Sequence, residues 1–503
     1  MKRYVWFLFY LILFLLILAF CFSAEIFDFD LWARLIAGMG VIDAHQVLKS
    51  DFLSYTPTHI WYDHEWGSGV VFYFLLKHFG PYSLIFLQAL LIFGIFIFIV
   101  KFVKLRFDKP YEILFYVFAL YALLGNFIQP VRCHMFSFLL FAVFLYVLEL
   151  ARLGKKKLLY ILPLIVVVWN NLHGGVVSGI GLILMYAAGT FLNDKHNKLW
   201  IEYLIVAAIS AVALVINPWG LDYIKFLFMA NTMHRADITE WWPLFSKFHL
   251  FHFISFKIFM MSILGVEACF IYKKIKDVGW KNLDKVKLIV LSVTLYLAFA
   301  HVKLIPFFVI SAAAFCYNEI YNLINHAKMP SYKDKLMYTV LIIISILPFL
   351  IKNTSLPLSI DGVYPVREVE FIKINNLKGN LLANFGIGSY LSYKLYPQNK
   401  IFMDGRYEEV YPDNYVELLK NFHLIKGDWD EILKKYPPDI ILVEKTYPVF
   451  YALKKYQGWY LIFEGDRYGV FIKTSDIKKS YIVPVKDLDY YKNTLFDTDV
   501  KLK

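Results

Sequence analysis

Two aspartates separated by one phenylalanine, Asp28 and Asp30, follow the first apolar run of the chain. In an extended segment, residues i and i+2 point to the same side, so we expect both carboxylates to face one ligand. Paired carboxylates suit a divalent cation such as Mg²⁺ or Mn²⁺, or a general base with an orienting partner. The spacing alone is a weak signal, because a loop near water carries acids without any chemical role.

Further acids lie in the same predicted loop, which spans residues 23–66. Asp63, His64 and Glu65 stand just before the next apolar stretch. Between the two acidic ends, residues 31–42 have a broad apolar stripe, which is typical of a short helix that lies in the membrane interface. Acids at both ends of one loop exceed what solvation requires, so the sequence predicts a substrate-binding site here.

Polar side chains also interrupt the apolar pattern at the ends of several later runs. The stretch WNNLHGG places Asn171 and His173 beside two glycines, which leave room for a ligand to approach the backbone. Cations in similar positions suit phosphate, through charge and hydrogen bonds. Helix capping and contact with lipid headgroups are the alternative for all of these side chains. The candidate phosphate ligands are Arg132, His134, His301 and Lys303.

Two more motifs are candidate substrate contacts. The segment 234–243, HRADITEWWP, puts Glu240 beside two tryptophans, an arrangement that suits a sugar ring. An aromatic belt at the membrane surface is the alternative. Asp404 and Arg406 directly follow a predicted strand, where open α/β sheets tend to bind ligands. These two side chains could instead pair with each other.

The composition around these residues is that of a polytopic membrane protein. Of the 503 residues, 59% are hydrophobic and only 18% are charged, and the mean hydropathy is +0.54. We predict about 11 transmembrane helices, of which the first is a retained helix rather than a cleaved signal peptide. The predicted spans lie near residues 4–22, 82–100, 111–128, 135–150, 158–169, 175–191, 200–216, 252–272, 288–300, 304–321 and 336–351.

Basic residues cluster in alternate connectors between these spans. The positive-inside rule places those connectors, and the N-terminus, in the cytoplasm. The other connectors carry the His, Asp, Glu, Asn and Trp residues, so any chemistry is expected on the outer face. The formal net charge of +12 is therefore a topology signal, and nucleic acid is not an expected partner. The four cysteines show no C-x-x-C spacing, so neither a zinc knuckle nor a disulfide framework is indicated.

The hydropathy drops after about residue 351. We therefore predict a transmembrane domain over residues 1–351 and an extracytoplasmic α/β domain over residues 352–503. In the second domain, strand-like and helix-like segments alternate, which favours a mostly parallel sheet. The strands are expected at residues 381–386, 400–405, 439–445, 459–466 and 468–473.

This plan resembles the GT-C superfamily of membrane glycosyltransferases, which includes protein mannosyltransferases, aminoarabinose transferases and oligosaccharyltransferase catalytic subunits. The likeness covers the whole chain: a short cytoplasmic N-terminus, an acidic pair after the first span, interfacial helices in the first loop, many further spans and an external C-terminal domain. Its motifs are FDFDLW, DHEW and DITEW. The WWDYG element of oligosaccharyltransferases is absent, so that particular activity is not implied.

The resemblance implies transfer of a sugar from a polyprenyl-phosphate-linked donor to a lipid, glycan or protein acceptor, outside the inner (plasma) membrane. Asp28 or Asp30 would be the general base, and the basic candidates would stabilise the departing phosphate. A divalent cation held by Asp30 with Asp63 or Glu65 is the candidate cofactor. The alternatives are a non-enzymatic membrane scaffold and a lipid or glycan transporter of envelope biogenesis. Transport is disfavoured because the predicted spans have few acids in their centres.

Overall fold

The computed structural model describes residues 2–22, 28–106, 130–233, 235, 238–320, 364–478, 480–484, 486 and 495–497. The chain divides into two compact units. The helical unit comprises residues 1–25 and 85–357, and the α/β unit comprises residues 26–84 and 358–503. The spans predicted near residues 111–128 and 336–351 lie outside the described residues.

Helices make up most of the described chain, and several begin with recognisable start signals. Asp284 accepts hydrogen bonds from the backbone N–H groups of Val286 and Lys287, which satisfies two donors that a helix start leaves unpaired. In chain order the helices are α1 Lys2–Phe22, α2 Phe29–Ala44, α3 Trp66–Phe79, α4 Tyr82–Lys104, α5 His134–Arg152, α6 Leu162–Leu172, α7 Val177–Asn193, α8 Leu199–Ala213, α9 Leu221–Thr232, α10 Ile254–Val278, α11 Lys285–Ala300, α12 Ile305–Phe315, α13 Val366–Ile374, α14 Phe385–Leu395, α15 Asn414–Leu424, α16 Glu431–Lys435 and α17 Pro448–Leu453.

Three helices among the described residues are long and apolar enough to cross a membrane. They are Tyr82–Lys104, His134–Arg152 and Gly174–Asn193, the last of which includes a short 3₁₀ turn before α7. Shorter apolar helices occur at Tyr10–Phe22 and Leu199–Ala213, among others. The protein is therefore a mainly helical membrane protein, as its composition indicates. The number of about 11 spans and the orientation of the termini stay predictions.

Helix α9 corrects one expectation from the sequence. The predicted spans at residues 200–216 and 252–272 leave a long connector on the external side, which the sequence predicts to be a loop, but residues Leu221–Thr232 are helical. The Asn217–Gly220 turn precedes this helix: Asn217 Oδ1 accepts from the Trp219 backbone N–H, and Gly220 adopts a φ of +58°. Because a positive φ is open to glycine, the chain can turn here and start a new helix.

The α/β unit contains a five-stranded sheet in the order β2-β1-β3-β5-β4. A strand occurs at each of the five predicted places, but the first two end earlier than predicted, at Leu382 and Ile401, since Asn384 already caps α14. The sheet is mixed rather than mostly parallel: β1 is parallel to β2 and β3, whereas β5 is antiparallel to β3 and β4. The reason is the short β4–β5 turn, since strands joined by so few residues form an antiparallel hairpin. The strands are β1 Gly379–Leu382, β2 Asn399–Ile401, β3 Ile440–Glu444, β4 Trp459–Glu464 and β5 Tyr468–Lys473.

The first predicted loop adds to the edge of this sheet. Ser54 forms a parallel bridge with Ile401 of β2. The Tyr55 N–H donates to the Ile401 carbonyl at 3.1 Å, and the Ile401 N–H donates to the Leu53 carbonyl at 3.0 Å. Residues 26–84 therefore belong to the α/β unit by hydrogen bonding as well as by packing. The predicted division at residue 351 into transmembrane and extracytoplasmic domains stays a prediction.

Helix α2 is present where an interfacial helix was expected, and within the α/β unit it is buried from Leu31 to Gly40. Its Trp32 side chain is fully buried against Tyr390 and Tyr393 of α14, with ring centroids 5.1 and 5.4 Å away. Burial of this many apolar side chains fixes the position of the residues at the start of α2, which include the acidic pair.

Candidate functional site

The acidic pair lies at the N-terminus of α2 and not in an extended segment. Asp28 has extended backbone angles and is the N-cap, with its Oδ1 accepting from the Asp30 N–H at 3.2 Å. Asp30 is already in the first turn of the helix. Residues i and i+2 of a helix do not face each other. The expectation that the two carboxylates share one side of a strand is therefore wrong, because Asp28 starts a helix.

Asp30 lies beside the turn that follows β2. A Cβ placed on Gly405 would be 3.5 Å from Asp30 Oδ1 and 3.9 Å from Ser389 Oγ. Two sequence-predicted candidates from distant parts of the chain, the acidic pair and the Asp404–Arg406 turn, are thus brought together within the α/β unit. Asp28 is almost fully buried and Asp30 is partly exposed. Asp30 is thus the more accessible carboxylate of the pair.

Asp63 and Glu65 are held by an arginine that the sequence did not single out. Arg34 of α2 forms a buried ion pair with Asp63, and its Nε lies 3.4 Å from Glu65 Oε2. His64 lies between two carboxylates, with Nε2 3.6 Å from Glu65 Oε1 and Nδ1 3.4 Å from Glu409 Oε2. Arg34 and Asp63 lie 29 residues apart in the chain. No local sequence signal connects them.

The donor set in this region fits a divalent cation poorly. Among the described residues, no group of three or more His, Cys, Asp or Glu side chains is arranged to hold a metal ion. Arg34 supplies the positive charge that a cation would bring to Asp63 and Glu65. We therefore assign no chemical step to a metal, and the divalent cation at Asp30 and Glu65 stays a prediction from sequence.

Asp404 and Arg406 form a buried network with residues of the first loop. Arg406 Nε lies 2.9 Å from Asp404 Oδ1, and its Nη1 lies 2.6 Å from Asp51 Oδ1. Its Nη2 donates to the Tyr411 hydroxyl at 3.0 Å, and the guanidinium lies over the Trp61 ring at 4.7 Å. Every guanidinium nitrogen therefore has a partner, and the Asp404 side chain is completely buried.

The opposite charges in this network stabilise the ionised forms of Asp51 and Arg406. Burial alone would raise the pKa of Asp51, but Arg406 and a hydrogen bond from Ser54 lower that pKa below its ordinary value. Burial also opposes the charge on Arg406, yet Asp404 and Asp51 together raise its pKa well above the usual range. The pairing that the sequence left as an alternative is present. A substrate role for Asp404 and Arg406 stays a prediction.

A second group of candidates lies in the helical unit around Glu240. Arg132 donates to Glu240 Oε1, and Lys303 Nζ lies 3.8 Å from Glu240 Oε2. Burial alone would raise the pKa of Glu240, but Lys303 and Arg132 lower it below the ordinary value. Arg235 and Lys303 also lie over the Trp241 ring, 4.6 and 5.5 Å from its centroid. Two cations thus contact one carboxylate and a third lies over the neighbouring Trp241 ring, which leaves an excess of positive charge that suits an anion.

Two predicted histidines of this group, His134 and His301, have neighbours that the structure defines. His134 is buried at the start of α5, with its ring centroid 5.1 Å from that of Phe138. His301 Nδ1 lies 2.6 Å from the Trp241 carbonyl oxygen. A carbonyl only accepts, so this nitrogen carries hydrogen. We call Arg132, His134, His173, Glu240, His301 and Lys303 the basic cluster.

Asn171 is tied to the backbone, as the capping alternative suggested. Its Nδ2 donates to the carbonyl oxygens of Val167 and Ile216, at 2.8 and 2.9 Å. Neighbouring Asn170 similarly donates to the Leu214 carbonyl at 2.9 Å. These bonds join the end of α6 to the end of α8, and a substrate contact for Asn171 stays a prediction.

The sequence candidates thus fall into two sets, one in each unit. Sequence reasoning missed several residues that contact them, because each partner is distant in the chain or has a side chain with many structural uses. The missed residues are Arg34, Tyr411 and Ser137, which contact Asp63, Arg406 and His173 respectively.

No protein-family model and no curated protein sequence matches this chain. Solved structures do match. The archaeal oligosaccharyltransferase AglB from Archaeoglobus fulgidus, in complex with an inhibitory peptide and a dolichol-phosphate, matches over 98% of this chain and 77% of its own, with a TM-score of 0.60 and 12% identity. The arabinofuranosyltransferase AftD from Mycobacteria matches over 94% of this chain, with a TM-score of 0.53 and 11% identity.

Both neighbours are membrane glycosyltransferases of the GT-C superfamily. The resemblance inferred from the sequence is therefore confirmed at the level of the fold, over nearly the whole chain. The chain spans only about two fifths of the length of AftD, 41%. At these identities the likeness concerns the fold, and activity needs a separate argument.

Proposed function

We propose that this protein is a glycosyltransferase that moves a sugar from a polyprenyl-phosphate-linked donor to a lipid, glycan or protein acceptor on the extracytoplasmic face of the plasma membrane. The observation that carries the proposal is the presence, in a GT-C fold, of an acidic pair and a basic cluster with complementary chemistry. AglB binds dolichol-phosphate in its structure, which is a polyprenol-type lipid phosphate. The proposed donor belongs to the same class.

The acidic pair supplies the base. Glycosyl transfer needs a carboxylate that takes the proton of the acceptor hydroxyl while its oxygen bonds to the anomeric carbon. Asp30 is the better candidate because it is partly exposed, whereas Asp28 is nearly buried and caps α2. Asp28 keeps the helix start in place and so positions Asp30.

The basic cluster binds the leaving group. As the bond between the anomeric carbon and the phosphate oxygen breaks, the electron pair goes to the phosphate, which leaves as the polyprenyl phosphate. Arg132 and Lys303 are held in place by Glu240. Fixed cations in a partly dry site stabilise developing phosphate charge without reorganisation at the moment of reaction.

Transport of a lipid-linked glycan is the competing function. Full-length protein in lipid vesicles separates the two when it is given polyprenyl-phosphate-linked sugars and a cell-envelope extract as acceptor. Transfer releases polyprenyl phosphate and adds the mass of the sugar to an acceptor. A transporter moves the intact lipid-linked sugar across the vesicle and releases no phosphate. Release that depends on both protein and acceptor supports the proposal, and transbilayer movement without release overturns it.

A further inference from the structure

Four groups meet at His173, where α6 ends. The Trp169 indole N–H donates to Ser137 Oγ at 2.7 Å. Ser137 Oγ in turn lies 2.7 Å from His173 Nδ1, and the Gly175 backbone N–H donates to the same nitrogen at 3.0 Å. The chain of contacts thus runs from α6 to α5 and back to the turn before α7.

The direction of each hydrogen bond follows from the groups involved. A backbone N–H only donates, so His173 Nδ1 accepts from Gly175 and carries no hydrogen. An indole N–H also only donates, so Ser137 Oγ accepts from Trp169 and has its own hydrogen left for Nδ1. The imidazole is therefore neutral, and its hydrogen is on Nε2.

The residues around these hydrogen bonds exclude water and leave space for the side chains that form them. Ser137 and Trp169 are fully buried, so neither hydrogen bond competes with water. A Cβ on Gly175 would lie 2.5 Å from Ser137 Oγ and 2.7 Å from His173 Nδ1. A Cβ on Gly179 would lie 2.6 Å from the Trp169 ring. Both glycines leave space that these side chains fill.

His173 is partly exposed, and its partner Ser137 lies one turn beyond His134 on α5, the helix that Arg132 precedes. We propose that Ser137 and Trp169 are positioning residues, which hold His173 as an Nε2–H donor to a phosphate oxygen of the polyprenyl phosphate that leaves. This inference rests on the proposed function. Arg132 and Lys303 supply charge to that phosphate, and His173 supplies a directed hydrogen bond that strengthens as charge develops.

In a merely structural role, Ser137 would accept the hydrogen bond of the buried Trp169 indole N–H and would have no effect on His173. Two variants of full-length protein in lipid nanodiscs separate these roles. Ser137→Ala removes the hydroxyl, and Ser137→Thr keeps one. Ser178→Ala is the matched control, because the Ser178 hydroxyl donates to the Gly175 carbonyl at 2.7 Å in the same turn without contacting His173.

The first measurement is the ¹⁵N NMR spectrum of histidine-labelled protein, in which the His173 signals are those that disappear in His173→Asn. The proposal predicts hydrogen on Nε2 and none on Nδ1 in the wild type. In Ser137→Ala the Gly175 N–H still donates to Nδ1 but the Ser137 hydroxyl does not, so a measurable share of the other neutral form is expected. The wild-type pattern is expected in Ser137→Thr and Ser178→Ala. Hydrogen on Nδ1 in the wild type would overturn the proposal, whatever the activity.

The second measurement is the rate of sugar transfer from a polyprenyl-phosphate-linked donor. Residues that orient the histidine ligands of a metal contribute about 10- to 100-fold to activity, and we expect a similar effect where a histidine binds phosphate. The kcat of Ser137→Ala should therefore fall by about that factor with KM for the acceptor unchanged, and Ser137→Thr should recover it. Equal kcat in Ser137→Ala and Ser178→Ala would overturn the positioning role. If wild-type protein transfers no sugar, the proposed function fails, and the role of His173 toward phosphate fails with it.

Discussion

Gly38 and Gly69 bring the backbones of α2 and α3 into contact: a Cβ on Gly38 would lie 2.0 Å from the Gly69 carbonyl oxygen. The added methyl group would meet backbone atoms, which cannot move aside as the end of a flexible side chain can. We therefore expect Gly38→Ala to lower the free energy of unfolding by roughly 1–3 kcal/mol or more. The measurement is thermal unfolding of the full-length protein. Gly265→Ala in α10 is the matched control, because nothing lies within 4 Å of that position. Equal unfolding temperatures in both variants would contradict the close packing.

Arg406 should matter far more for stability than an exposed cation does. Arg406→Ala leaves Asp51 and Asp404 buried without their counter-charge, and loss of one partner of a buried pair costs about 3–5 kcal/mol. The control is Lys434→Ala, whose partner is Asp430 and whose side chain is 67% exposed, so little change is expected. The measurement is the midpoint of denaturant unfolding of both variants. Similar midpoints would show that the buried network contributes no stability.

Glu368 of α13 should give the α/β unit a pH-dependent stability. Burial raises the pKa of Glu368 from 4.5 to about 7. The folded state therefore binds the proton more tightly than the unfolded state does, and the stability it contributes is present below pH 4.5 and lost as the pH rises through about 7. Glu368→Gln should unfold at a temperature similar to that of the wild type at pH 5 and at a higher one at pH 8.

The control for this prediction is Glu431→Gln, since Glu431 is exposed at the start of α16. Its unfolding temperature should follow the wild type at every pH between 5 and 8. A Glu368→Gln curve that also runs parallel to the wild type over this range would mean that the carboxyl does not titrate there.

Arg132 should affect donor binding through its charge. Arg132→Ala removes one of the cations that surround Glu240, and we expect KM for the lipid-linked donor to rise by about tenfold, which corresponds to about 1.4 kcal/mol. The dependence of KM on salt should weaken, because one fewer charge is screened. Lys225→Ala, at a side chain that is 82% exposed, should change neither quantity. An unchanged donor KM in Arg132→Ala would remove it from the proposed phosphate site.

Much of the fold could be predicted because its signals are local. β3 and β5 are short, mainly apolar runs, and residues 440–444 are buried at every position. The apolar helices were found in the same way. The direction in which neighbouring strands pair was harder to predict, because it depends on how the strands are connected. The short β4–β5 turn makes β5 antiparallel to β4 and to β3.

The candidate site was predictable in residue types but not in partners. Asp28 precedes an apolar helix and is a recognised start signal, so its capping role was available from the sequence. The partner of Arg406 was not: Asp51 lies 355 residues away. Ser137 gave no signal at all, because a serine inside an apolar helix fits packing equally well. Long-range polar pairs need the structure.

The most direct test of the account is sugar transfer by the double variant Asp28→Asn and Asp30→Asn in full-length protein. Asparagine caps helices about as well as aspartate does, so α2 should keep its start and the unfolding temperature should stay close to that of the wild type. Asp43→Asn, at an exposed position near the end of α2, is the control. With a polyprenyl-phosphate-linked donor, we predict a loss of about 100-fold or more in the double variant, with full activity in the control. Undiminished transfer by a folded double variant would contradict the central claim.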